Sequence, residues 1–210
     1  SVIPRTLTAI AGYVQTGLTG MTVSAQKNGV VLKATQPGTS GQFVLAPIDP
    51  TKGPYDVVFT GTNLATSVIS AVPVAAGQTT VLNSSLDPVV MPSSQSGTVS
   101  GNVGPAGARE SGSVRGLQTV GTVPAVEVAH VNVDPLTGDY SLFLPTAAPR
   151  LLIYSNPMIT PLIFQPQAAN AGKYKLEASA IGYLTALGNE VMVMFGSILG
   201  GQNFTLAATK

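Results

Sequence analysis

His130 is the only histidine in the chain, and there is no cysteine. Thiolate nucleophiles, cysteine metal sites, disulfides and covalent c-type haem attachment are therefore excluded, and any triad or proton shuttle must be built on one imidazole. That imidazole lies in the alternating run Val126, Val128, His130, Asn132. Glu127, three residues away, points to the opposite face of a regular strand, so a structural or surface role is expected for His130. Asp134-Pro135-Leu136-Thr137-Gly138-Asp139 gathers two carboxylates and a hydroxyl within one short segment. A calcium loop needs about five or six oxygen ligands over about twelve residues, so this segment reads as an Asp-Pro turn entering a hairpin. Asp49-Pro50-Thr51-Lys52-Gly53-Pro54 reads the same way. Asp56, Asp87, Glu110, Glu177 and Glu190 are scattered without local pairing, which gives no glycosidase dyad. Gly97, Gly101, Gly104 and Gly107 lack a following helix and a Lys-Ser/Thr pair, so they form a flexible lead-in rather than a phosphate cradle.

No catalytic, cofactor-binding or metal-ligating residue is assigned on these grounds, and a non-enzymatic protein without cofactor is expected. Two N-glycosylation triplets occur, Asn83-Ser84-Ser85 and Asn203-Phe204-Thr205, both in a predicted closing strand where modification is hindered. The aromatics Tyr13, Phe43, Tyr55, Phe59, Tyr140, Phe143 and Phe204 fall at strand spacing and are expected in the core. With no Trp in the chain, a sugar-stacking platform is a weak expectation.

Charge is the unusual quantity. Ten Lys and Arg and nine Asp and Glu make 9% of 210 residues, where soluble domains carry about 25%. Surface scaling for this mass gives about 9,100 Å² of accessible area, roughly 480 Å² per charged group against about 175 Å² at ordinary density. The net charge of +1, with no basic run, offers no footprint for nucleic acid or an anionic membrane. Part of the exterior is therefore expected to be apolar and covered by neighbouring subunits. The longest apolar stretch, Val191 to Leu199, is too short to span a bilayer and reads as a buried strand pair. The chain opens on Ser1 without a leader pattern, as expected after cleavage of an export signal or after trimming.

The elements that position these residues are strands, because β-branched alternation and turn signals dominate and no window keeps helical apolar spacing free of Gly and Pro. Strands are predicted at Ala9 to Val14, Met21 to Lys27, Val30 to Thr35, Gly41 to Ala46, Tyr55 to Gly61, Thr66 to Val74 and Gln78 to Leu86. Asn28-Gly29 between two of them is a hairpin dipeptide, since both turn positions need positive φ. Asp87-Pro88 and the polar stretch Pro92 to Gly97 break the pattern. The expected division is a first domain over 1–91, a linker over 92–97 and a second domain over 98–210. Its strands are predicted at Thr98 to Val103, Val123 to Val133, Asp139 to Leu144, Leu151 to Ser155, Lys173 to Ala180, Glu190 to Phe195 and Gln202 to Ala207.

The second half repeats the first. Gly12-Tyr13-Val14 matches Gly101-Asn102-Val103, Thr39 to Pro47 matches Thr137 to Pro145, and Gly77-Gln78 matches Gly201-Gln202. Three matches in order imply a duplicated module. The second copy is longer through the Pro-rich insertion 145–172, whose Met158, Ile159 and Phe164 predict packing on its own domain or on a neighbour.

Gly12, Val14, Thr39, Gly41, Phe43, Leu45, Pro54 and Tyr55 to Phe59, with Gly101, Val103, Thr137, Gly138, Tyr140 and Leu142 in the second copy, resemble the carboxypeptidase regulatory-like, or transthyretin-like, β-sandwich family. The Tyr-led strand of the second copy is the one at Tyr154 or the one at Tyr174. The resemblance implies an all-β chain of two tandem Greek-key β-sandwich domains, transthyretin-like or Ig-like, and a non-catalytic accessory, adhesive or structural module of exported proteins.

The expected function is that of an exported structural or adhesive protein, extracellular or at the cell surface, whose copies form a homo-oligomer, filament or layer through low-charge faces and strand edges. Leu7 to Val14 and Phe204 to Thr209 are the expected donor strands. The alternative is an extracellular carbohydrate- or protein-binding accessory module with a cell-surface glycan or protein partner. No nucleic acid and no membrane span are expected.

Overall fold

A computed structural model describes residues 7–156 and 161–210. Pro157, Met158 and Ile159 of the Pro-rich insertion lie outside the described residues.

The first half contains β1 (Ala9–Tyr13), β2 (Thr22–Lys27), β3 (Val30–Thr35), β4 (Gln42–Leu45), β5 (Tyr55–Thr60), β6 (Ser67–Val72) and β7 (Thr79–Val81). The second contains β8 (Ser96–Gly104), a one-turn helix α1 (Ala106–Arg109), β9 (Ser113–Val120), β10 (Val123–Asn132) and β11 (Asp139–Pro145). It continues with β12 (Arg150–Ile153), β13 (Gln165–Pro166), β14 (Lys173–Ser179), β15 (Ala186–Met192), β16 (Ile198–Leu199) and β17 (Phe204–Thr205). The chain is all-β, and each half is a sandwich.

In the first, the sheet β4-β1-β7 faces β3-β2-β5-β6; in the second, β11-β8-β16, with β17 also on β8, faces β10-β9-β14-β15. The two strand orders are the same once β8, β9, β10, β11, β14 and β15 are set against β1 to β6. Registers agree as well: Gly12 lies opposite Phe43 and Ile10 opposite Leu45, while Gly101 lies opposite Tyr140 and Val99 opposite Leu142.

The repeated glycines have a physical cause. Gly41 and Gly138 hold φ of +77° and +82°, and a Cβ on either would come within 2.1 Å of Val14 O or 2.5 Å of Val103 O. The N–H of Val14 donates to Gly41 O at 2.9 Å, and that of Val103 to Gly138 O at 2.8 Å. A repeated asparagine completes the device. Tyr13 N–H donates to Asn83 Oδ1 (2.7 Å), and Asn102 N–H donates to Asn203 Oδ1 (2.9 Å). The Tyr-led strand of the second copy is β14: Tyr174, like Tyr55, is fully buried, and its hydroxyl donates to Pro145 O at 2.6 Å.

Two cores result. One collects Ile10, Val23, Phe43, Leu45, Phe59 and Ile69, with the Phe43 and Phe59 rings edge-to-face at 5.6 Å. The other collects Val99, Val114, Leu142, Leu144, Tyr174 and Leu176. Val58 and Val68 belong to the second cluster although they sit on β5 and β6, because the outer face of the first sandwich packs against the second. The Pro-rich insertion tightens this union. Its strand β12 adds in parallel to β6, from Arg150 opposite Ser67 to Ile153 opposite Ser70, and Leu152, Tyr154, Leu162 and Phe164 pack on the first core. The strand predicted at Leu151 to Ser155 thus extends the sheet of the other half.

Several expectations are corrected. The stretch from Gly97 to Gly107 is no flexible lead-in, since Gly97 and Gly101 are inside β8, and the one-turn α1 follows. Gly101 is there because a Cβ would meet Gln202 O at 2.0 Å. β9 was unforeseen. The last long strand is β15, ending at Met192, so of the stretch from Val191 to Leu199 only Val191 and Val193 are buried and Leu199 packs partly buried on the core, while Met194, Phe195 and Ile198 are exposed. Neither expected donor strand is free: β1 is central between β4 and β7, and β17 pairs with β8.

Candidate functional site

The two sandwiches meet over a polar clip. Gln26, 2% exposed, directs its amide across the junction at the backbone of β10. Its Nε2 donates to Glu127 O (2.9 Å) and to Ser24 Oγ (3.0 Å), and Glu127 N–H donates to Gln26 Oε1 (2.8 Å). These backbone groups are available because β10 is the edge strand of its sheet; just beyond, the β10–β9 register shifts between Glu127 and Ala129, a bulge that leaves Val128 without a ladder partner.

The same bulge overturns the expectation that Glu127 faces away from His130, which is itself exposed as expected. Without it Glu127 and His130 would lie on opposite faces; with it Glu127 Oε1 sits 2.9 Å from His130 Nδ1. In the neutral ring, a proton on Nδ1 would donate to this carboxylate and leave Nε2 as an acceptor. Glu127 Oε2 accepts from Arg115 Nη1 at 3.0 Å, and Arg115 reaches on to Glu177 Oε1 (2.6 Å from Nη2) and Gly29 O (2.6 Å from Nη1). Burial works against the Arg115 charge, but the bonds to Glu127 and Glu177 outweigh it and hold its pKa above the ordinary value. The Gly29 contact follows from the hairpin Asn28-Gly29, whose φ values of 50° and 75° bear out the turn prediction.

Above this clip opens a cleft of about 650 Å³. The outer face of β2 and β5 forms one wall with Thr22, Ser24 and Thr60, extended by Thr62 and Asn63; β10 and β11 form the other with Ala129, His130, Phe143 and Pro145. Phe143 is 67% exposed, which corrects its expected place in the core: on β11, Tyr140, Leu142 and Leu144 take the inward positions and Phe143 the outward one. Among the described residues His130 bonds only to Glu127, and the Ser24 hydroxyl is taken by Gln26, so no hydroxyl is paired with the imidazole as a nucleophile is with its base.

The other segments singled out by sequence are turns. Asp134 Oδ1 accepts from the N–H groups of Leu136 (2.8 Å) and Thr137 (2.9 Å), and Asp139 accepts from Asn102 Nδ2 (2.8 Å). These bonds hold both carboxyls below the usual range, Asp134 chiefly through Thr137 and Asp139 chiefly through Asn102. Asp49 caps a short 3-10 turn by accepting from Thr51. No group of three or more metal-binding side chains occurs among the described residues. Of the two glycosylation triplets, Asn83 is buried with its Nδ2 donating to Tyr13 O and Asp87 O, so a glycan there would replace one of these two donors at a site with no open space.

A third surface lies at the free edge of the second sandwich. β15 is an edge strand, whereas its counterpart β6 is covered by β12. From this edge into the following turn, Leu187, Met192, Met194, Phe195 and Ile198 are exposed, Ile198 to 77%.

No protein-family model matches the sequence, and no curated protein matches it. Solved structures show partial likeness. A C-terminal and an N-terminal interface mutant of a type II Cohesin-X-Dockerin complex from Acetivibrio cellulolyticus match at 24% and 23% identity, with TM-scores of 0.35 and 0.36. Each match covers 42% of this chain and 59% of the other, so the chain spans less than two thirds of either. A leucine-rich repeat protein from Bacteroides thetaiotaomicron matches at 9% identity and a TM-score of 0.29, covering 96% of this chain and 26% of that one. The fold therefore rests on the sheets themselves. No helix among the described residues is long and apolar enough to cross a membrane.

Proposed function

We propose that this chain is a non-catalytic extracellular structural or adhesive protein, two transthyretin-like sandwich units over 1–91 and 98–210, whose copies associate through low-charge faces. The supporting observation is the set of exposed apolar side chains Leu187, Met192, Met194, Phe195 and Ile198 on and after the uncovered edge strand β15, in a chain with 9% charged residues. Soluble monomers seldom leave such a patch bare, and few Lys residues guard the edge. Electron microscopy of native material tests the reading: filaments or a regular layer support it, and dispersed single particles of one chain's size overturn it.

A second reading, an extracellular accessory module that holds a glycan or a protein, is favoured by one observation: the open cleft between the sandwiches, with an exposed aromatic ring on its wall. Binding of a cell-surface partner by the intact chain, lost when the cleft is altered and not when the β15 edge is altered, tests it.

A further inference from the structure

The cleft carries a more specific assignment, which rests on the accessory-module reading. Among the described residues its lining is nearly uncharged: Glu127 is the only acid in it, and both its carboxylate oxygens are occupied, one by Arg115 and the other by His130. No described Lys or Arg lines it. A charged ligand would find no free counter-charge there, and burying an unpaired charge is costly. The free groups are of another kind. Among the described residues the hydroxyls of Thr22, Thr60 and Thr62 have no hydrogen-bond partner, and Asn63 uses only its Oδ1, as acceptor from Ser96 Oγ at 3.3 Å. His130 Nε2 adds an acceptor when the neutral ring carries its proton on Nδ1, toward Glu127.

Phe143 supplies the remaining element. In the alternation of β11 an outward phenylalanine two-thirds exposed buries little area and does nothing for either core. Its ring lies in the lining of a cleft whose opposite wall bears unengaged hydroxyls. A flat apolar surface facing neutral donors and acceptors fits a ligand with one C–H face and a rim of hydroxyls.

We propose that this cleft binds a neutral oligosaccharide, one sugar ring stacking on Phe143 while its hydroxyls bond to Thr22, Thr60, Thr62, Asn63 and His130. The volume of about 650 Å³ lies inside the range of small-molecule sites. The test uses the whole chain on a printed panel of neutral and uronic-acid or sialylated glycans, followed by calorimetric titration with the soluble form of the best hit. Saturable binding of neutral glycans is expected. Phe143→Ala should weaken it by about ten-fold or more, and Thr60→Val with Thr62→Val, near-isosteric and surface-placed, should weaken it with unchanged thermal unfolding. No binding across the panel, binding confined to acidic glycans, or binding indifferent to both variants overturns the assignment. If glycans fail while a cell-surface protein is retained through the same cleft, the accessory-module reading survives and the sugar assignment does not.

Discussion

Replacing Gln26 by Leu removes the clip between the sandwiches with almost no change in volume. The wild-type amide donates to Glu127 O at 2.9 Å and accepts from Glu127 N–H at 2.8 Å, at a site 2% exposed. Leucine leaves that N–H and that carbonyl facing apolar atoms, and each buried orphan costs about 1–3 kcal/mol. The expected loss is therefore about 2–6 kcal/mol, a large part of the roughly 5–15 kcal/mol that stabilises a folded domain. A chain of this size loses about 2–4 °C of Tm per kcal/mol, so a fall of roughly 4–24 °C is expected in calorimetry. Urea titration should show the same sign. Gln26→Glu should be no better, because a carboxylate accepts from the Glu127 N–H but cannot donate to its carbonyl. Gln42→Ala, on the exposed face of β4, should stay within about 0.5 kcal/mol of wild type. A Gln26→Leu protein as stable as the Gln42→Ala control would refute the claim that this amide joins the two halves.

Other substitutions read other parts of the same account. Gly41→Ala and Gly138→Ala each force a Cβ onto a carbonyl at positive φ and should cost at least about 2 kcal/mol in urea titration, whereas a loss below ~0.5 kcal/mol in both would mean the repeated glycines are incidental. Arg150 donates to Ser67 Oγ from both Nε (3.2 Å) and Nη2 (2.9 Å) and lies 4.8 Å over the Phe164 ring. Arg150→Lys should therefore lose most of what Arg150→Ala loses, about 1–3 kcal/mol, and full rescue by lysine would contradict the geometry. Asp134 and Asp139 have folded-state pKa values below the ordinary one, so the stability they add is present above the unfolded value near 4 and is lost as pH falls through the folded value. Stability should therefore drop on acidification below about pH 4, and Asp134→Asn should make that limb shallower. An unchanged limb would remove Asp134 from the explanation.

The features legible in the sequence were those set by local chemistry. Asn28-Gly29 gave its hairpin because two positive φ angles select those residues, and the Gly41/Phe43/Leu45 pattern returned at Gly138/Tyr140/Leu142 because the same carbonyl must be approached twice. What stayed hidden depends on distant partners. β9 escaped notice because Arg115 and Gly116 interrupt its apolar alternation; the first joins Glu127 and Glu177 on the two flanking strands and reaches Gly29 O across the junction, and the second makes room for Leu144. The Glu127–His130 pair depends on a bulge that no local residue type announces. One signal was available for the junction: Val57-Val58-Phe59 and Val68-Ile69 are consecutive apolar residues, as a strand buried on both faces requires. The addition of β12 to β6 had no such marker, since parallel pairing across the chain leaves no periodicity of its own.

Sedimentation velocity of the intact chain over a hundred-fold range of concentration is the most direct test of association through the bare apolar edge. Species larger than one chain should grow with concentration, and Phe195→Glu with Ile198→Glu, both at exposed positions, should return the protein to a single chain without loss of thermal stability. A single 21.3 kDa species at every concentration, unchanged by those substitutions, would contradict it.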